Sequence, residues 1–181
     1  PIKGLAVLLD AVERYVESGN WQLDIVGQCG DVIRNRIAQS PKLSQHVVAH
    51  GFRSDVPDLF RASHLYIQPT LQPGEGIGNS MAEAMSFGLP VITSNVGGGI
   101  ELTEHEQTGI HFEVGNPLAL GQAIDRLIQD PAACDRIGQA VAVDSKELSL
   151  SNSAETIVSK NSGPKSLTTS PLTCIAFQAS Q

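Results

Sequence analysis

The sequence predicts an α/β domain, a Rossmann-like doubly wound parallel sheet with helices on both faces. Three observations predict it. Strand-length apolar runs alternate with stretches whose apolar residues recur at helical spacing. Strand runs close on glycine or proline turns before the next helix begins. Capping residues and first-turn prolines mark several helix starts. Regular alternation of this kind means parallel strands joined by helical crossovers.

The elements follow in order. Leu5, Leu8, Leu9, Val12 and Val16 give residues 4–18 a helical stripe that Gly19-Asn20 ends. Gln22-Leu23-Asp24-Ile25-Val26-Gly27 reads as a strand running into a glycine turn, with Trp21 packing at its start. A helix is expected over 31–39 and a second strand over 46–50, closed by Gly51-Phe52. Ser54 is the expected cap of a short helix over 55–62, with Asp55 in its first turn. A third strand over 64–69 leads through a long loop, 70–78, into a helix over 79–87. Strands over 90–93 and 109–112 come next, and glycines 97, 98 and 99 leave open whether they only shape a tight turn. Pro117 starts a helix to 129, and Asp130-Pro131 caps and starts another that ends near Gly138 or a little later. From about Val143 the chain is rich in Ser, Thr and Asn and loses periodicity. Residues 1–142 are therefore read as the domain and 143–181 as a weakly structured tail, with Leu172–Phe177 its one strand-like stretch.

Composition narrows the function. A length of 181 residues with 41% hydrophobic and 17% charged residues fits one soluble domain with a real core. A net charge of -7 argues against coating nucleic acid or an anionic membrane. Aromatics at 4% argue against a stacking platform for single strands. No apolar run approaches the roughly 20 residues of a membrane span. Cys29, Cys134 and Cys174 form no CxxC pair and no metal-ligand spacing. The five histidines stand beside no Ser or Cys nucleophile signature and read as structural or exposed.

The loop after the third strand reads Pro73-Gly74-Glu75-Gly76-Ile77-Gly78-Asn79-Ser80, and the helix it opens carries Met81-Ala82-Glu83-Ala84-Met85. Three glycines let backbone approach a ligand, and the amides of residues 78–81 open the helix at the positive end of its dipole. That is a site for a diphosphate. Two carboxylates beside it cannot bind phosphate; they can accept hydroxyl groups, one set from a sugar and one from a ribose. Chemistry alone therefore points to a nucleotide diphosphate sugar. A dinucleotide-binding dehydrogenase would need a G-x-G-x-x-G run after a strand, and Gly27-Gln28-Cys29-Gly30 is too short a match.

The spacing Glu75-x7-Glu83 resembles that of the family 4 retaining glycosyltransferases of the GT-B fold. So do Lys3-Gly4, Ile25-Val26-Gly27, Gly51-Phe52-Arg53, Asp55 to Phe60, Ala62-Ser63-His64, Glu83 to Ile92, Gly97-Gly98 with Glu101, and Thr108-Gly109. The likeness runs from Lys3 to about Gln139. It implies the carboxy-terminal, donor-binding half of such an enzyme, transferring a hexosyl group from a UDP- or GDP-linked sugar with retention. By resemblance, Lys3 contacts the donor diphosphate, Glu75 binds hydroxyls of the sugar, and Glu83 binds the ribose. Gly78, Asn79 and Ser80 lend backbone to the phosphates, and Gly51, Phe52 and Arg53 lie near the base. The resemblance implies neither a metal nor a resident cofactor. It implies a cytoplasmic protein, peripheral to the inner membrane face when full length, whose glycan, lipid or other acceptor is held by an amino-terminal domain. The family's arginine before the lysine would fall ahead of Pro1. The fragment alone is expected to be inactive, and a non-catalytic sugar-nucleotide-binding module stays open as the alternative.

One topological expectation follows. In the order 3-2-1-4-5-6 the strand before Lys3 is the centre of the sheet. The strands at 22–26 and 65–69 then need a substitute partner, and Leu172–Phe177 is the internal candidate.

Overall fold

A computed structural model describes residues 3–17, 20–72, 79–151 and 172–178. It contains helices α1 (Leu5–Tyr15), α2 (Asp31–Gln39), α3 (Pro41–His46), α4 (Val56–Ala62), α5 (Asn79–Ser86), α6 (Gly99–Leu102), α7 (Pro117–Gln129) and α8 (Pro131–Ser151). The strands are β1 (Trp21–Gly27), β2 (Val47–Gly51), β3 (Leu65–Gln68), β4 (Val91–Ser94), β5 (Gly109–Phe112) and β6 (Leu172–Gln178). Every pairing is parallel, in the order β2-β1-β6-β3-β4-β5. The expected α/β class is the observed one.

The order is the doubly wound 3-2-1-4-5-6 with β6 in the place of strand 1. β6 pairs with β1 from Trp21↔Leu172 to Gly27↔Gln178, and with β3 from Leu65↔Cys174 to Ile67↔Ala176. The gap is filled by the segment singled out for it. The tail contributes the central strand, and α8 runs past Gly138 to Ser151. Residues 152–171 and 179–181 fall outside the described residues.

Parallel strands buried on both faces are apolar without alternation, and β3 and β4 are buried at every position. The core is one continuous cluster. Leu8, Leu9 and Val12 of α1, Leu23 and Ile25 of β1, Ile67 of β3, Ile92 of β4, Leu120 and Ile124 of α7 and Ile175 of β6 all belong to it. α1 packs on α7 and α5 on α8. Each fully buried Leu or Ile contributes about 1.5–3 kcal/mol of transfer free energy.

Local chemistry sets the helix starts. Asn116 caps α7 through the Ala119 amide at 3.0 Å, with Pro117 following it. Asp130 accepts from the Ala133 amide at 3.0 Å. α4 departs from expectation: Asp55, not Ser54, holds the cap position, and no side chain caps the helix. The Asp55 carboxylate is turned to Arg53 instead. Two short helices, α3 and α6, add to the elements that the sequence pattern predicts. Ser40 accepts from the Leu43 amide at 3.3 Å and starts α3, and Gly97-Gly98 lead into α6.

Candidate functional site

Because all strands are parallel, their carboxyl ends share one edge. The chain steps outward from β1 to β2, then returns across β6 to β3, so the switch point lies between β6 and β3. Ligands of doubly wound sheets bind in the crevice there.

Lys3 and Gly4 are brought to this point. Gly4 holds φ +66 at the start of α1, and a Cβ there would collide with the carbonyl oxygen of Pro69. Pro69 directly follows β3, so Lys3 stands at the carboxyl end of β3. Thr70 is pinned beside it, its carbonyl accepting from Ser94 Oγ at 2.6 Å.

α5 opens at the same strand end. Met81, Ala84 and Met85 turn into the core, which leaves Asn79 and Glu83 exposed. These two are four residues apart and share a face. Glu83 is thus available to a ligand one turn inside the helix. Ser80 Oγ meets the buried Tyr66 Oη at 2.9 Å, and Tyr66 donates to Gln68 at 3.1 Å. The first turn of α5 is therefore tied to β3, and first-turn amides lack partners within their own helix. Glu75 and Gly78 fall outside the described residues.

Gly51, Phe52 and Arg53 lie on the same edge but two strands away, at the end of β2. With strands about 4.8 Å apart, that is roughly 10 Å from β6. Gly51 holds φ +74 and Phe52 is 71% exposed. Arg53 binds Asp55 through Nε at 2.7 Å and Nη2 at 2.5 Å. That bidentate bond holds the Asp55 carboxyl below its ordinary range and the Arg53 guanidinium above its own.

Three further residues, to which the sequence pattern assigns no site role, meet near the β1–β2 side of this edge. Arg34 of α2 donates from Nε to the Cys29 carbonyl at 3.1 Å and from Nη1 to the Ala49 carbonyl at 3.5 Å, bridging the ends of β1 and β2. Asp24 is 6% exposed within β1 and meets His50 Nε2 at 2.7 Å. An acid inside the apolar run Leu23–Val26 was the available signal for that pair. Burial pushes the nearby Cys29 thiol up. Among the described residues, no cluster of three His, Cys, Asp or Glu could hold a metal ion. No described helix is long and apolar enough to cross a membrane.

A family model for the group 1 glycosyl transferases matches residues 1–130. The chain belongs to this family. Among its relatives is a capsular polysaccharide biosynthesis glycosyltransferase, CapM of Staphylococcus aureus, 30% identical over 141 residues. That match takes in 75% of this chain and 36% of CapM, so the chain spans about a third of the length of such relatives. The solved structure of Anabaena HepE with UDP-glucose aligns with a TM-score of 0.72 at 25% identity, over 81% of this chain and 41% of HepE. The carboxy-terminal domain of a group 1 glycosyltransferase, LpcC of Francisella tularensis, aligns with a TM-score of 0.71 over 86% of this chain and 82% of that domain. At 19% identity the LpcC likeness speaks for the fold alone.

Proposed function

We propose that the chain is the donor-binding domain of a retaining hexosyltransferase that uses a UDP- or GDP-linked sugar. The observation that carries this reading is the convergence of Lys3 and the start of α5 at the switch point, with Glu83 exposed one turn further in. HepE, which aligns over most of the chain, is solved with UDP-glucose and with UDP and glucose, and this supports the donor class.

The chemistry follows from those groups. When the anomeric carbon parts from the diphosphate, negative charge builds on the bridging phosphate oxygen. Lys3 and the amides opening α5 would stabilise it, and one well-placed donor of this kind is worth roughly 3–4 kcal/mol. Glu75 would accept hydroxyls of the departing sugar, and Glu83 those of the ribose. The acceptor, a glycan, lipid or other hydroxyl compound, would be held by a further domain, and no transfer is expected from the 181 residues by themselves.

Calorimetric titration with UDP, GDP and ADP tests the site. Glu83→Ala should weaken the preferred nucleotide by about 1–3 kcal/mol, because ribose hydroxyls lose their partner. Glu75→Ala should leave the bare nucleotide nearly unchanged and weaken the sugar-linked form. Parent-like titrations by both variants would remove the assignment.

A further inference from the structure

The register of β1 on β2 runs Asp24↔Val48 and Ile25↔Ala49, then jumps to Val26↔Gly51. His50 is the extra residue, and this bulge sets its ring over Asp24, with Nε2 2.7 Å from Oδ1. Gln22 Nε2 donates to the same oxygen at 3.0 Å. A carboxylate so deeply buried needs donors, and it has two.

A carboxylate only accepts, so the imidazole Nε2 carries the proton in this pair, and in a neutral ring Nδ1 is then an acceptor. Arg53 Nη1 stands 3.4 Å from Nδ1. Arg53 in turn grips Asp55, at the start of α4. Five side chains, Gln22, Asp24, His50, Arg53 and Asp55, thus form a line from the sheet interior to the loop at 52–55. The charged groups near the ring are Asp24 from β1, Arg53 and Asp55 from the loop, and Arg34 from α2 through the Ala49 carbonyl. A second proton on the ring would turn Nδ1 into a donor facing a guanidinium. The link to Asp24 would survive and the link to Arg53 would break.

We propose that His50 is a positioning residue that latches the 52–55 loop only while its imidazole is neutral, so that nucleotide affinity falls in acid. This rests on the reading above, in which residues 51–53 flank the base of the donor.

The test is calorimetry of the 181-residue chain with UDP and GDP at about pH 8 and about pH 5, the interval in which histidines change charge. The phosphates titrate in the same interval, so each variant is compared with the parent at the same pH, where that contribution cancels. The amide of His50→Gln can donate to Asp24 and accept from Arg53 at either pH. It should bind like the parent at pH 8 and roughly three- to tenfold more tightly than the parent at pH 5. His50→Ala should be weaker than the parent at pH 8 and lose that difference at pH 5. Equal pH profiles for parent and His50→Gln would overturn the latch. So would parent-like binding by His50→Ala at pH 8. Imidazole nitrogen shifts give a readout that needs no ligand: the proton should sit on Nε2 at about pH 8, and an Nδ1-protonated ring overturns the proposal. A parent that binds no nucleotide, yet shows the Nε2 form, would sink the donor-site reading and leave the latch standing.

Discussion

Gly4 couples backbone geometry to the placement of Lys3. Its φ of +66 costs an L-residue about 1–2 kcal/mol, and a Cβ would also strike the Pro69 carbonyl. Gly115 has a similar φ of +72 with open space around it. Gly4→Ala should therefore destabilise the chain by more than Gly115→Ala, by roughly 1–3 kcal/mol beyond the shared strain in urea denaturation. Equal losses would mean that α1 does not seat on Pro69. At this scale the sequence was partly legible. Lys3-Gly4 and Glu83 stand out because their chemistry depends on residue type and local spacing. The Asp24–His50 pair does not, because a bulge one strand away creates it. Asp55 holds the cap position expected of Ser54, because that position is fixed by backbone geometry that both residues tolerate.

Among the elements, β6 holds the centre of the sheet. Ile175 and Ala176 are fully buried, and β6 is the partner shared by β1 and β3. Ile175→Ala should cost about 2–5 kcal/mol. Amide exchange should accelerate together at Ile25 and Ile67, which face the two sides of Ala176. Val48→Ala, at a 43% exposed position on the edge strand, should leave both amides protected. Persistent protection in Ile175→Ala would show that β1 and β3 hold without the central strand. The long helices and all five strands up to Phe112 were legible because their apolar periods span several turns or pairs. α3 and α6, of six and four residues, are too short to display a period. The full length of α8 is hidden by the polar residues that follow Val143, because polarity without an apolar period does not mark a helix.

For the whole molecule, the sheet order separates what local sequence can decide from what it cannot. The alternation of elements points to the class, and the doubly wound order leaves one vacancy, which β6 occupies. The consequence is one of timing. β6 follows β1 to β5 along the chain, so during synthesis the flanking strands β1 and β3 exist before the strand that joins them. Until then β1 and β3 flank an open seam with unpaired backbone on both sides, the kind of edge that recruits other chains. Moving residues 172–181 ahead of Pro1 through a glycine-rich joint, with Ser151 as the new end, should let the seam close early. It should also replace the chain's most distant pairings with nearer ones. That permuted chain should refold faster than the parent after dilution from urea and leave less aggregate, with the same circular dichroism. Slower refolding, or a spectrum without cooperative melting, would mean that the order of these elements along the chain matters less than the segment that joins α8 to β6.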